Sequence, residues 1–430
     1  MSDRPHNWRL EDDCFVHDRD RLTYEQAIAI LRSRLKPLAD IETILLENAS
    51  GRILQDTAKA PRPIPAFDNS AVDGYAIAFR DLSDGANAQT QLSVSSRIPA
   101  GAQAVMPKLA TGTAARIFTG GVLPEGADTV VMQEDCRTTE TEDVVLIPAG
   151  LKKGSNIRRA GEDLQVGAPL TGLHERLRPA DIARLASAGV HQVQVFGELR
   201  VAVISNGNEL RQPGEALPPG AVFDANSKLL TSLAKHLPVE TVFLGIMPDD
   251  YEQVKELIAE AARDFDVIIT SGGASKGDAD HLQAVLNDLG KSHMWQLAIK
   301  PGRPMMMGQI GQTPIFALPG NPVAVFICWC LFVHPSLLRL GGANWPTPQR
   351  ITVPSGFEIS KKKPDRREFY RGWLETHDGI TQGVKFDRDG SGLIAGLQAA
   401  TGLLEIPEEA TSVAVGELIN YWPLSQFGAD

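Results

Sequence analysis

The chain has 430 residues and a formal net charge of −11, from 53 acidic and 42 basic side chains. That length predicts about three domains, and the acidic balance excludes the broad basic surface that holds a protein on nucleic acid. Hydrophobic residues at 43% and charged residues at 22% are ordinary globular values, so this is neither a disordered nor a fibrous chain.

The first twenty residues are charged throughout and lack an apolar h-region, which reads as a solvated extension, not a signal peptide. Thr23 predicts a helix N-cap with Gln26 as its capping-box partner, and Tyr24, Ile28, Leu31 and Leu35 recur at helical spacing. From Ala60 to about Asp163, short runs such as DTVVMQ and DVVLIP alternate with Gly, Pro and Thr turns, a β-rich pattern. Pro179 opens another helix, stopped by Gly189. Whether the two helices share a core, making the β-rich segment an insertion, is left open by these residues.

Residues 199–340 are patterned most clearly. The strand RVAVIS, the helix SKLLTSLAKHL, ETVFLGIM, the helix YEQVKELIAEAARDF, the strand DVIITS and PIFALPG before an apolar helix predict βαβ units and a parallel sheet. Met305 to Met307 read as a core strand. The apolar run Val323 to Val333 falls short of the ~20 residues a membrane span needs, so no membrane partner is expected. After residue 347, ITVPSGFEI, EFYRGWLE, GLLEI and ELINYW suggest a small barrel or sandwich. Cys14, Cys136, Cys328 and Cys330 are too scattered for a disulfide framework, and the last two read as small buried hydrophobes.

Polar residues gather where the carboxyl ends of the parallel strands, and hence a ligand, are expected. They are Asn206 to Glu209, Pro248 to Asp250, Gly272 to Asp280 and Pro319 to Pro322. Gly272 and Gly273 let backbone N–H groups approach an anion, and Ser271 and Ser275 add hydroxyls. Asn321 suits an N-cap and Pro322 a first helical residue, which turns a helix N-terminus toward the crevice. Glu209, Asp249, Asp250 and Asp280 on the same edge suit a hard cation, most simply Mg²⁺, bridging to phosphate. No Walker motif is present and no G-x-G-x-x-G follows the first strand, which excludes a P-loop NTPase and a standard dinucleotide enzyme.

Lys300 and Arg303, in LAIKPGRPMMMG, suit phosphate or another tetrahedral oxyanion. In the basic island KKKPDRREFYR, Arg366 or Arg371 is the candidate to enter a site. PIPAFDNSAVDGYAI concentrates Asp68, Asn69, Ser70 and Asp73. Thr119 with Gly120 and Gly121, and Arg158, Arg159, Glu162 and Asp163, form two further polar sets.

In chain order, DNSAVDGYA, RIFTGGVLPEGADTVVMQED, GSNIRRAGED, SNGNEL, SGGASKGDAD, LAIKPGRP and LPGNPVA resemble the motifs of the molybdenum insertases. This is the molybdopterin molybdenumtransferase family, which includes the C-terminal domain of gephyrin, and the resemblance runs from about Arg21 to the C-terminus. It implies the last step of molybdenum cofactor synthesis: molybdopterin adenylate and molybdate give the cofactor and AMP, with Mg²⁺ required. It also implies an elongated homodimer whose site lies between the α/β domain of one subunit and N-terminal elements of the other. Molybdopterin adenylyltransferase and molybdoenzymes are the protein partners to expect. The charged N-terminus and the short apolar run, by themselves, predict a cytoplasmic protein.

The fold class implied is multidomain α/β plus β. Residues 21–60 and 164–196 form an N-terminal domain, and 61–163 form an inserted β-rich domain. Residues 197–343 form a three-layer α/β domain with a parallel-rich sheet, and 347–430 a small β-barrel. By motif, Asp68, Thr119, Asp163, Glu209, Asp280, Lys300 and Arg303 fall in the catalytic set. Ser205, Gly207, Ser271, Gly272, Gly273, Ser275, Pro319, Gly320, Asn321 and Pro322 fall in the set that binds the pterin nucleotide. Asp249, Asp280 and Glu209 are the metal candidates, and Lys300, Arg303, Arg366 and Ser391 the molybdate candidates. Two positions depart from the common pattern: Arg303 where many relatives have Lys, and Asp278 where Glu is common. Neither removes a required charge. A scaffold protein that keeps the fold without the activity is the alternative reading. Enzymes that share only the α/β module, such as the competence-damage-inducible proteins, lack the DNSAVDGY and GSNIRRAGED elements found here.

Overall fold

The computed structural model describes residues 21–83, 89–101, 108–273, 281–390 and 392–429. Thr23 accepts the Gln26 N–H at 3.2 Å while the Gln26 side chain accepts that of Thr23 at 2.9 Å, which starts the helix Tyr24–Arg34. Its Tyr24, Ala27 and Leu31 pack among Phe332, Leu337 and Trp422, distant in sequence. The helix Pro179–Ser187 begins with the Asp181 carboxylate on the Arg178 N–H and ends at Gly189, whose φ is +83°. It buries Leu185 against Leu46, Leu54, Leu164 and Val195. The two helices therefore belong to different cores.

The chain runs out to the β-rich segment and returns beside itself. Ile41–Leu45 pairs antiparallel with Gln192–Phe196, and bridges join Lys59 to Pro169 and Ile64 to Leu164. Beyond them lies a six-stranded sheet. Alternation along each strand splits its side chains between two cores. Tyr75, Ile77 and Val131 line one, and Ala76, Ile117 and Val130 the other.

The α/β sheet has the order Val239–Met247, Leu199–Asn206, Val267–Ser271, Thr313–Leu318, Pro304–Ile310 and Lys291–Gln296. The first four strands are parallel and the last two antiparallel. Val201, Val203, Ile269, Met305, Met307 and Phe316 face one layer, and Ala202, Ile204, Ile268, Met306 and Ile315 the other. The helices Tyr251–Asp264 and His281–Leu289 cover the second face, and Asn226–Ala234 the first. Each fully buried Leu, Ile or Phe contributes about 1.5–3 kcal/mol.

A nineteen-residue apolar helix, Pro322–Leu340, also lies in the first layer with a π turn at Trp329–Val333. It is 89% buried, so its length serves the core. The C-terminal strands Ile351–Pro354, Arg367–His377, Ile380–Lys385, Gly402–Ile406 and Leu418–Pro423 form another sheet. A bridge from Ser355 to Gly383 joins its two sides. One more strand in this sheet comes from the α/β region. Ile299–Lys300 pairs parallel with Arg367–Glu368.

Candidate functional site

At the carboxyl end of Val267–Ser271 the backbone turns through Gly272, whose φ is +87°. A Cβ there would lie 2.3 Å from the Asn206 carbonyl oxygen, so only glycine lets the two strand-end loops come this close. An added Cβ at Gly207 would meet the Glu209 carboxylate at 2.7 Å, a contact that the exposed glutamate side chain can relieve by moving. Ser205 donates its hydroxyl to Asp224 at 2.6 Å, and the other Asp224 oxygen accepts the Ser227 N–H at 3.0 Å. The Asn226 amide donates to Ser271 Oγ at 2.8 Å and to the Gly320 carbonyl at 2.7 Å. Asp224 and Asn226 thus tie three expected ligand residues into one buried floor. Sequence reasoning passed over both, although FDANS before a helix was the available signal.

Beside this floor opens a cleft of about 500 Å³. Gly273, Lys300, Pro319, Gly320 and Asn321 line its α/β wall, and Glu368, Phe369, Tyr370, Arg371, Asp389 and Gly390 its C-terminal wall. Asn321 is the N-cap residue by backbone conformation, with Pro322 in the first turn, but its side chain makes no capping bond. The expected side-chain cap is therefore absent. The exposed Asn321 amide stands at the rim instead.

Charge in the cleft centres on Glu368, whose side chain is 2% exposed. Arg366 donates to Glu368 Oε1 through Nε at 2.7 Å and a terminal nitrogen at 2.6 Å. Tyr370 donates its hydroxyl to Oε2, and Lys300 Nζ stands 3.5 Å from the same oxygen. Burial pushes the Glu368 carboxyl upward, but the Tyr370 bond and the Lys300 and Arg366 charges outweigh it, so it stays below the usual range. Burial and the Glu368 carboxylate together raise the Tyr370 phenol. Arg371 is buried and donates to the Leu393 and Arg388 carbonyls. Both arginines left open by the sequence thus reach this region, Arg371 as wall and Arg366 as a charge. Neither Arg303, which is exposed, nor Arg366 is among the residues lining the cleft; Arg366 reaches the wall through its bonds to Glu368.

Glu209 and Asp249 are exposed on adjoining loops, which touch through the Asn208 amide on Asp249 at 2.9 Å. His281 Nε2 lies 3.6 Å from the other Asp249 oxygen. Asp250 is spent capping Tyr251–Asp264 through the Gln253 N–H. Among the described residues no group of three or more His, Cys, Asp or Glu side chains converges. Asp280, Ser275, Asp278 and Ser391 lie outside the described residues.

The inserted segment holds a separate polar cluster. Asp68 accepts the Ala160 N–H at 2.8 Å and Arg159 at 2.6 Å, and these bonds hold its carboxyl low. Asp73 accepts both the N–H and the hydroxyl of Thr119 at 2.8 Å. Asp163 is exposed, and its N–H donates to the Ile64 carbonyl. Among the described residues, no hydrogen bond or ion pair joins Asp68, Thr119 or Asp163 to the cleft. Burial drives the Cys328 thiol up to about 12 and raises Cys330 as well, so neither is a thiolate nucleophile.

Residues 22–189 match the MoeA N-terminal region (domain I and II), 202–339 a probable molybdopterin binding domain, and 357–424 the MoeA C-terminal region (domain IV). The chain is 32% identical over 407 residues to molybdopterin molybdenumtransferase of Haemophilus influenzae, across 94% of this chain and 99% of that one. It is 35% identical over 397 residues to the protein of that name from Nostoc sp., across 89% of each. Its fold is similar to the crystal structure of the molybdopterin biosynthesis moeA protein from Pyrococcus horikoshii OT3. There the TM-score is 0.80 at 28% identity, covering 94% of this chain and 100% of that one.

Proposed function

Because this chain belongs to the molybdopterin molybdenumtransferase family, we propose that the cleft between its α/β sheet and its C-terminal strand receives the molybdenum oxyanion. The chain is an enzyme of molybdenum cofactor biosynthesis that inserts molybdenum into molybdopterin. The observation that carries the cleft assignment is the meeting of Lys300 and Arg366 on one buried carboxylate at the cleft wall. Two cations beside glycine-rich strand ends are the donor set a tetrahedral dianion requires.

In this reading the substrate is molybdopterin adenylate and the leaving group AMP. The floor of Ser271, Gly272 and Gly273 holds the pterin nucleotide, with Pro319 to Pro322 closing its far side. Ser271 Oγ accepts from Asn226, which leaves its own O–H to donate toward a phosphate. Lys300 and Arg366, with Ser391, hold molybdate by charge and position. Arg303, exposed at its turn, attracts the anion only at longer range.

Glu209 and Asp249 offer hard oxygen donors on touching loops, which fits Mg²⁺ when Asp280 completes the set. Bound there, Mg²⁺ supplies charge neutralisation at the pyrophosphate. In this reading the chemistry needs no nucleophile from the protein.

Asp68, Thr119 and Asp163 lie in a cluster of their own in the inserted segment. That separation supports a homodimer in which one subunit's cluster completes its partner's cleft. The enzyme works in the cytoplasm, between a molybdopterin adenylyltransferase that supplies the adenylate and the molybdoenzymes that take the cofactor. The test is reconstitution. The purified chain with molybdopterin adenylate, molybdate and Mg²⁺ must yield cofactor that activates an apo-molybdoenzyme. A chain that binds the adenylate yet never yields active cofactor is the scaffold of the alternative reading.

A further inference from the structure

Glu368 is a carboxylate in a place where the reaction has no evident use for one. An anionic side chain in a cleft that takes a dianion repels its substrate. Yet Glu368 is almost fully buried, and four donors saturate its two oxygens: two nitrogens of Arg366 on Oε1, and Tyr370 and Lys300 on Oε2. Backbone register puts it there, since the pairing of Ile299–Lys300 with Arg367–Glu368 sets Lys300 opposite Glu368.

We propose that Glu368 is the resident counter-ion of the cleft, a positioning residue that acts through Lys300 and Arg366. While the cleft is empty it offsets the repulsion between the two cations and aims them. The two are held unequally. Arg366 is fixed at 2.6 and 2.7 Å and is 27% exposed, whereas Lys300 is 47% exposed and tethered at 3.5 Å. Only part of the ammonium's three-donor capacity is used by Glu368, so Lys300 is the group that an entering oxyanion takes over.

The anion must share Lys300 with Glu368, and this competition keeps its binding weak. Weak binding matters because molybdate has to pass from the cations to the molybdopterin.

This inference rests on the reading that the cleft receives the oxyanion, and two sets of variants separate the two claims. Calorimetric titration of the full chain with molybdate alone, and with sulfate alone, should show E368Q binding both about tenfold tighter than the parent, since one repelling charge is gone. Its release of AMP from molybdopterin adenylate should nevertheless be slower, because the cations are no longer aimed. A purely structural residue would not tighten anion binding when removed. E368D, which keeps the charge, should retain the parent affinity. If E368Q does not fold, E368M removes the same charge at similar volume and carries the same expectation. Unchanged or weaker molybdate binding in a folded charge-free variant overturns the proposal. So does the failure of both charge-free variants to fold, since Glu368 then serves the fold. Separately, K300M and R366M should each weaken molybdate binding. If neither does, the cleft reading itself fails, whatever E368Q shows.

Discussion

Lys300 and Glu368 face each other across a parallel pairing that joins two parts of the chain, with Nζ 3.5 Å from Oε2. The strand carrying Lys300 follows the α/β sheet's edge strand Lys291–Gln296, but pairs with the C-terminal sheet. The cleft is thus closed by backbone as well as by charge. Alternation then divides labour between neighbours on the partner strand. Glu368 turns to the cleft, while Arg367 turns to Glu25, Glu405 and Glu408 at 2.5–2.9 Å.

Replacing Lys300 with Met should separate function from stability. The side chain is half-exposed, so its loss should cost less than about 1 kcal/mol of stability. Molybdate-dependent AMP release should fall at least about tenfold, because one of two oxyanion donors is gone. Chemical denaturation beside a rate assay checks both halves.

Arg367→Met should do the reverse. Glu405 is 2% exposed and its closest cation is Arg367, with Arg350 at 3.8 Å. Removing Arg367 leaves that carboxylate under-compensated in the interior, a loss of about 3 kcal/mol. The urea midpoint should drop while the molybdate Kd holds, since Arg367 bonds Glu25, Glu405 and Glu408 and not Glu368.

Much of this was legible in the residues. Thr23 and Gln26, Pro179 and Gly189, and the strand–helix alternation after Leu199 are local signals, and local chemistry alone decides them. The pairing of Ile299–Lys300 with Arg367–Glu368 was not legible. Two residues carry no strand periodicity, and the choice of partner is tertiary. Glu368 consequently looked like one acid in a basic island. Asp224 and Asn226 looked like an ordinary helix start, because their partners Ser205, Ser271 and Gly320 lie far away in sequence. Asn321 has the right residue type for a cap, yet propensity does not fix a rotamer, and its amide makes no capping bond.

His334 predicts a pH dependence. Burial, with the nearby Arg176 charge, lowers it from 6.5 to about 4. The folded value lies below the unfolded one, so the unfolded chain binds the extra proton between these limits. His334 therefore imposes no penalty above pH 6.5, and stability is lost as pH falls from there toward 4, by about 3 kcal/mol at most. His334→Leu should flatten denaturation curves across that window. An unchanged slope assigns the acid sensitivity to other groups.

The homodimer proposal predicts complementation. Asp68→Ala and Lys300→Met subunits, each impaired as homodimers at limiting molybdate, should regain part of the activity when mixed, because one of the two clefts is rebuilt from intact halves. Mixed dimers that form but stay inactive would place both residues in the same subunit's site.

Release of AMP from molybdopterin adenylate on adding molybdate is the measurement that decides whether molybdenum is inserted at a cleft held by Lys300 and Arg366. AMP release should require molybdate, saturate with it, and shift to higher molybdate concentration in K300M and R366M. AMP released at the same rate without molybdate, or a dependence on molybdate identical in the parent and both variants, would contradict insertion at this cleft.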